Sequence, residues 1–91
     1  MWPEVRGIPL EHRLNGHKIG AHLRYTYVPA KELLSVVYVV DDPVHSSDAK
    51  HIYNLFQEEI LHRLANDMDM LGIPHPRKTR VIIIPGYVTV I

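Results

Sequence analysis

The sequence predicts an α+β fold: a two-layer sandwich whose mostly antiparallel sheet is covered on one face by a single long helix. Three observations predict it. Asn15-Gly16 sits between two strand-like runs, an apolar stripe at helical spacing extends from Ala49 to Leu71, and β-branched runs flank that stripe. At 91 residues the chain is one domain, 1–91. A chain this size buries roughly 60–70 % of the surface it exposes unfolded, enough for one modest core without staples. There is no cysteine, so disulfides, thiolate nucleophiles and cysteine zinc sites are excluded.

Asn-Gly accommodates the two positive-φ positions of a type I′ turn, which predicts a tight hairpin of strands 8–14 and 17–28. A two-residue loop sets Leu14 opposite His17, His12 opposite Ile19, Leu10 opposite Ala21 and Ile8 opposite Leu23. Opposed residues share a face and strand side chains alternate. One face therefore gathers Ile8, Leu10, His12, Leu14, His17, Ile19, Ala21, Leu23, Tyr25 and Tyr27. The other gathers Pro9, Glu11, Arg13, Lys18, Gly20, His22, Arg24 and Thr26. A register one residue out would not sort apolar from polar so cleanly.

Pro29 to Glu32 form a short connection into strand 33–40, which is apolar on both faces in the manner of a central strand. Asp41-Asp42-Pro43 ends it, since proline cannot donate to a ladder and disfavours helix just before itself. The helix is predicted over 48–71, capped by Ser46 or Ser47, with Asp48 near the positive end of its dipole. Its stripe is Ala49, Ile52, Tyr53, Phe56, Ile60, Leu64, Met68 and Leu71. Gly72 suits the carboxyl-terminal cap, and Pro74 and Pro76 forbid continuation. Strand 80–84 follows, and Pro85-Gly86 separates it from a candidate strand 87–91, as a turn or as a kink.

Balanced charge conceals a division. Residues 1–31 carry five bases and two acids, residues 32–72 two bases and eight acids, and residues 73–91 three bases and no acid. In the sandwich, Arg13, Lys18, His22 and Arg24 lie on the sheet face away from an acidic helix. Arg13, Lys18, Arg24, Arg77, Lys78 and Arg80 are thus the candidate surface for a macromolecular partner, nucleic acid included. A pI near 7.1 and the absence of aromatics among these cations favour a protein partner over a nucleic acid.

Catalytic signals are sparse, and the sequence points away from an enzyme. Ser35, Ser46 and Ser47 stand in no nucleophile elbow, and the glycines form no phosphate loop. No cofactor is expected. The weak alternative is a divalent metal at Asp41 and Asp42, or at Glu59 and His62, whose Glu-x-x-His spacing presents two ligands from one helix. His12 and His17 share the helix-facing side of the hairpin while His22 faces away, so the three cannot share one site. His12 and His17 are expected as satisfied, partly buried residues.

Leu71-Gly72-Ile73-Pro74 followed by Arg80–Ile84 resembles the helix-to-strand passage of the small tautomerases. The resemblance covers about a third of the chain. It does not reach the family's catalytic amino-terminal proline, because Pro3 here stands behind Trp2 and a hairpin intervenes.

One helix shelters one sheet face, yet 33–40 and 81–84 are apolar on both. The uncovered parity is either Leu33, Val37 and Val39 or Leu34, Val36, Tyr38 and Val40, together with half of 81–84. Exposed apolar patches of a few hundred Å² mark contact surfaces, and small chains often close them with a copy of themselves. Leu33, Val37, Val39, Ile82 and Ile84 are the candidate oligomer interface, unless the amino-terminal arm or the tail to Ile91 folds over them. The expected function is a small non-catalytic interaction or regulatory module, homo-oligomeric through an apolar sheet face. A nucleic-acid-binding regulator is the first alternative and a metal-dependent enzyme the second. No apolar run approaches the ~20 residues of a membrane helix and no signal peptide is recognisable. With the lack of cysteine, this suggests a cytoplasmic protein without a membrane partner.

Overall fold

A computed structural model describes residues 6–42 and 46–85. Four strands, β1 (Arg6–Leu14), β2 (His17–Val28), β3 (Leu33–Val40) and β4 (Lys78–Pro85), form one sheet in the order β1-β2-β3-β4. The first two pairings are antiparallel; β4 returns parallel to β3 after two helices, α1 (Ser46–Leu55) and α2 (Gln57–Leu71). This is the predicted α+β sandwich, with its helical layer in two pieces.

The hairpin holds the register that its polarity demands, from Leu14 opposite His17 to Ile8 opposite Leu23. Asn15 and Gly16 have φ of 51° and 82°, the positive pair a type I′ turn requires. A short 3₁₀ turn, Pro29–Lys31, leads to Glu32 at φ 48°, and the Glu32 carbonyl accepts from the amides of both Arg77 and Lys78. That contact joins the start of β3 to the start of β4. The parallel ladder accordingly begins at Leu33 opposite Lys78, two residues before the predicted strand 80–84.

The single helix 48–71 is corrected to two helices. Phe56 leaves helical geometry at φ −109° and ψ 16°, and no proline or glycine stands there to announce it. Its ring stacks on His12, with centroids 4.3 Å apart and planes 6° from parallel. Backbone hydrogen bonds from Phe56 to Ile52 and from Ile60 to Phe56 still cross the junction, so the apolar stripe stays in phase. Ala49, Ile52, Tyr53, Ile60, Leu64 and Met68 are buried along it. Gly72, at φ 70°, closes α2, and Ile73 donates to the Met68 carbonyl, a Schellman arrangement with Ile73 buried beneath it.

The core lies between helices and sheet: Ile8, Leu10, Leu23, Tyr25 and Tyr27 from the hairpin, and Leu34, Val36, Tyr38 and Val40 from β3. Each fully buried large side chain contributes about 1.5–3 kcal/mol of transfer free energy. The serine caps are corrected as well: α1 begins at Ser46, two residues before the predicted start, so Ser46 and Ser47 lie inside the helix and do not precede it. The candidate strand 87–91, the Pro85-Gly86 geometry and the arm or tail as a cover fall, wholly or in part, outside the described residues.

Candidate functional site

Pairing fixes what the outer sheet face presents. Across β2, β3 and β4 its rows read Val28, Leu33, Lys78; then Thr26, Ser35, Arg80; then Arg24, Val37, Ile82; then His22, Val39, Ile84. The odd-numbered parity of β3 is therefore the one that looks outward. All five candidate interface residues, Leu33, Val37, Val39, Ile82 and Ile84, occupy this face. Leu33 is separated from the other four by the polar row, so the contiguous apolar area is Val37, Val39, Ile82 and Ile84. Val39 is buried, Val37 is half-buried, and Ile82 and Ile84 are 45 % and 40 % exposed. A shallow groove of about 240 Å³ runs along it, lined by Arg24, Thr26, Ser35, Val37, Val39 and Ile84 among others.

Five of the six candidate cations share this face: Arg13, Lys18, Arg24, Lys78 and Arg80. Lys18 reaches Glu11 at 3.6 Å. Arg77 is drawn aside to Glu32, with Nη1 3.4 Å from Oε2. Among the described residues Arg13, Arg24, Lys78 and Arg80 are exposed and form no ion pair. At the far end, the His22 ring and the Asp41 carboxylate meet at 2.7 Å, and the Asp41 amide donates to the Gly20 carbonyl.

The four candidate metal ligands have different neighbours. Asp41 is turned to His22 on the outer face, Glu59 is exposed on α2 with Oε1 3.6 Å from the buried His12, and His62 meets Asn66 at 3.4 Å on the α2 surface. Asp42 is exposed. Among the described residues no three His, Cys, Asp or Glu side chains are grouped as a metal would need.

Sequence reasoning missed the polar cluster beneath the helices. His12 is 1 % exposed, with Nε2 2.9 Å from the Tyr38 hydroxyl and Nδ1 3.6 Å from Glu59 Oε1. The second distance is too long for a hydrogen bond, and Nδ1 is buried without a partner. The electrostatically consistent arrangement has Tyr38 donating to Nε2 and the Nδ1 proton facing the Glu59 carboxylate. His12 is therefore buried but half-satisfied, a correction to the expected pair of satisfied histidines; His17 is exposed. Burial lowers the His12 pKa from its ordinary 6.5, outweighing Glu59, which favours the cation. Burial chiefly, with Glu59 and Asp41, pushes the Tyr38 phenol well above its usual range, so it is a donor and not a phenolate. The readable signal was a histidine on an apolar face, which needs a partner, and Tyr38, a hydroxyl on the same face of β3. Tyr25, buried on β2, likewise donates to Asp67 of α2.

No family model matches the chain, and neither a curated protein nor a solved structure matches it.

Proposed function

We propose that this chain is a small, non-catalytic interaction module that works through the outer face of its sheet, associating there with copies of itself. One observation carries the reading: Ile82 and Ile84 stand exposed beside Val37 and Val39 on a face that neither helix covers. Apolar area removed from water contributes about 25 cal/mol per Å², and a β-branched surface already fixed in a sheet loses little further entropy on contact. The buried His12 and Tyr38 support no competing catalytic reading, since both are sealed from substrate.

Sedimentation of the purified chain at tens of micromolar tests this. A mass above that of one chain is expected, with Ile82→Asp shifting it towards the monomer. A wild-type monomer at that concentration overturns the proposal.

A second reading has its own support, the five cations gathered on the same face. A nucleic-acid-binding regulator would use Arg13, Lys18, Arg24, Lys78 and Arg80, and its affinity would fall with salt at a log–log slope of about −0.9 per phosphate contact on duplex DNA. Arg24→Ala would then weaken binding, and a lack of binding at low salt removes this reading.

A further inference from the structure

The outer sheet face has a counterpart on the opposite side of the same molecule. The helical layer carries Asp48, Glu58, Glu59, Asp67 and Asp69 against Lys50 and Arg63, whereas the outer face carries five cations against Glu11 and Asp41. The helical side also exposes apolar residues, with Leu61 at 40 % and Met70 at 85 %. Leu61 borders a mostly apolar groove of about 190 Å³ between α2, β3 and the start of β4. Its walls include Leu64, Ala65, Met68 and Ile73, and Asp69 stands on its lining.

We infer that the occupant of this groove is a second copy of the chain, docked head to tail: β4 of one copy seats Ile82 over Ala65 of the next, and Arg80 meets Asp69. The spacings agree. Ile82 and Arg80 are two residues apart on one strand face, roughly 6.6 Å. Ala65 and Asp69 are one helical turn apart, roughly 6 Å. With β4 laid along α2 in the opposite chain direction, seating the isoleucine brings the guanidinium within reach of the carboxylate. Face-to-face pairing of two outer sheet faces would instead bring each set of five cations towards its own copy. Complementary charge favours the heterologous contact and steers it. Such a contact uses two different patches, so each bound copy leaves one of each patch free. Assembly then continues into a ring if the rotation closes, or into an open filament if it does not.

This inference rests on the self-association proposed above, and the experiment separates the two. The sheet side is blocked by Arg80→Glu with Ile82→Asp, and the groove side by Leu61→Lys with Asp69→Lys. All four positions are exposed, and circular dichroism confirms folding; should a double variant not fold, Arg80→Glu and Asp69→Lys alone carry the test. The wild type is expected to form species beyond the dimer as concentration rises. Each blocked variant alone is expected to be monomeric, with affinity reduced about tenfold or more, because each has lost one of two required patches. Mixed in equal amounts, the variants are expected to form a dimer and stop there, since each supplies the patch the other lacks. A groove variant that associates like the wild type overturns the head-to-tail contact while leaving the outer face as an interface. Blocked variants that do not form a dimer when mixed overturn it as well. A monomeric wild type overturns both readings together.

Discussion

Replacing Tyr38 with phenylalanine deletes one hydroxyl and little volume, so its cost isolates a single polar contact. His12 Nε2 loses its partner at 2.9 Å, while Nδ1 already has none, leaving a fully buried imidazole with neither nitrogen hydrogen-bonded. A buried group left without its partner costs about 1–3 kcal/mol. For a domain of this size each kcal/mol lowers the thermal midpoint by about 4–8 °C. His12→Phe keeps a ring to stack on Phe56 and instead strands the Tyr38 hydroxyl, so it costs about 1–2 kcal/mol. The double variant strands neither group, and exchanging both partners for apolar ones of similar shape is nearly neutral. Urea unfolding of all four proteins at pH 7.5 is expected to give a coupling of about 2–5 kcal/mol, the sum of the two single losses, with the double variant more stable than Tyr38→Phe. Losses that add to within about 0.5 kcal/mol would mean that the two groups do not share a hydrogen bond, and would refute the reasoning.

The same histidine sets a pH dependence. Its folded pKa lies below its unfolded 6.5, so the unfolded chain takes up the proton first; the His12 contribution is fully present above about pH 6.5 and is lost as pH falls below it. Stability measured from pH 8 to 5 is expected to fall less steeply in His12→Phe than in the wild type, and equal slopes would count against it. Tyr25→Phe removes the phenol that donates to Asp67 and loosens α2 from β2, at about 1–2 kcal/mol, read as a lower urea midpoint with an unchanged slope. Gly72→Ala forces a side chain onto a residue at φ 70°, costing about 1–2 kcal/mol, read as a lower thermal midpoint, although a Cβ there would meet no neighbour.

Much of the fold was legible because polarity and turn chemistry agreed. The hairpin register followed from Asn15-Gly16 and the sorting of twenty or so side chains, and β3 kept its predicted ends because Glu32 and Asp41 bracket an unbroken apolar run. The ends of β4 were not legible: Lys78 and Thr79 look like loop, yet the Glu32 carbonyl recruits them into the ladder. The break at Phe56 was also hidden, since nothing local marks it and the stacked partner, His12, is forty-four residues away in sequence. At the candidate site, the five interface residues could be named as one of two parities. The choice between parities depended on how β3 registers against β2, which the Pro29–Lys31 turn decides by geometry rather than by composition. Arg77 seemed equivalent to Lys78 and Arg80 along the chain, but it precedes the ladder and turns to Glu32.

The sheet order also carries a message about how the molecule assembles. β1, β2 and β3 each pair with their neighbour in the chain through short turns, so this meander closes small loops. β4 must find β3 across both helices, and closing a longer loop costs extra entropy that grows with the logarithm of its length. Contacts of that separation form late along the folding route. The meander is thus expected to form first and β4 to join last. Its amides should exchange with deuterium sooner than those at the centre of β2. Withdrawal of β4 would carry Lys78, Arg80 and the two exposed isoleucines away in a single event, leaving only Val37 and Val39 of the apolar patch on β3.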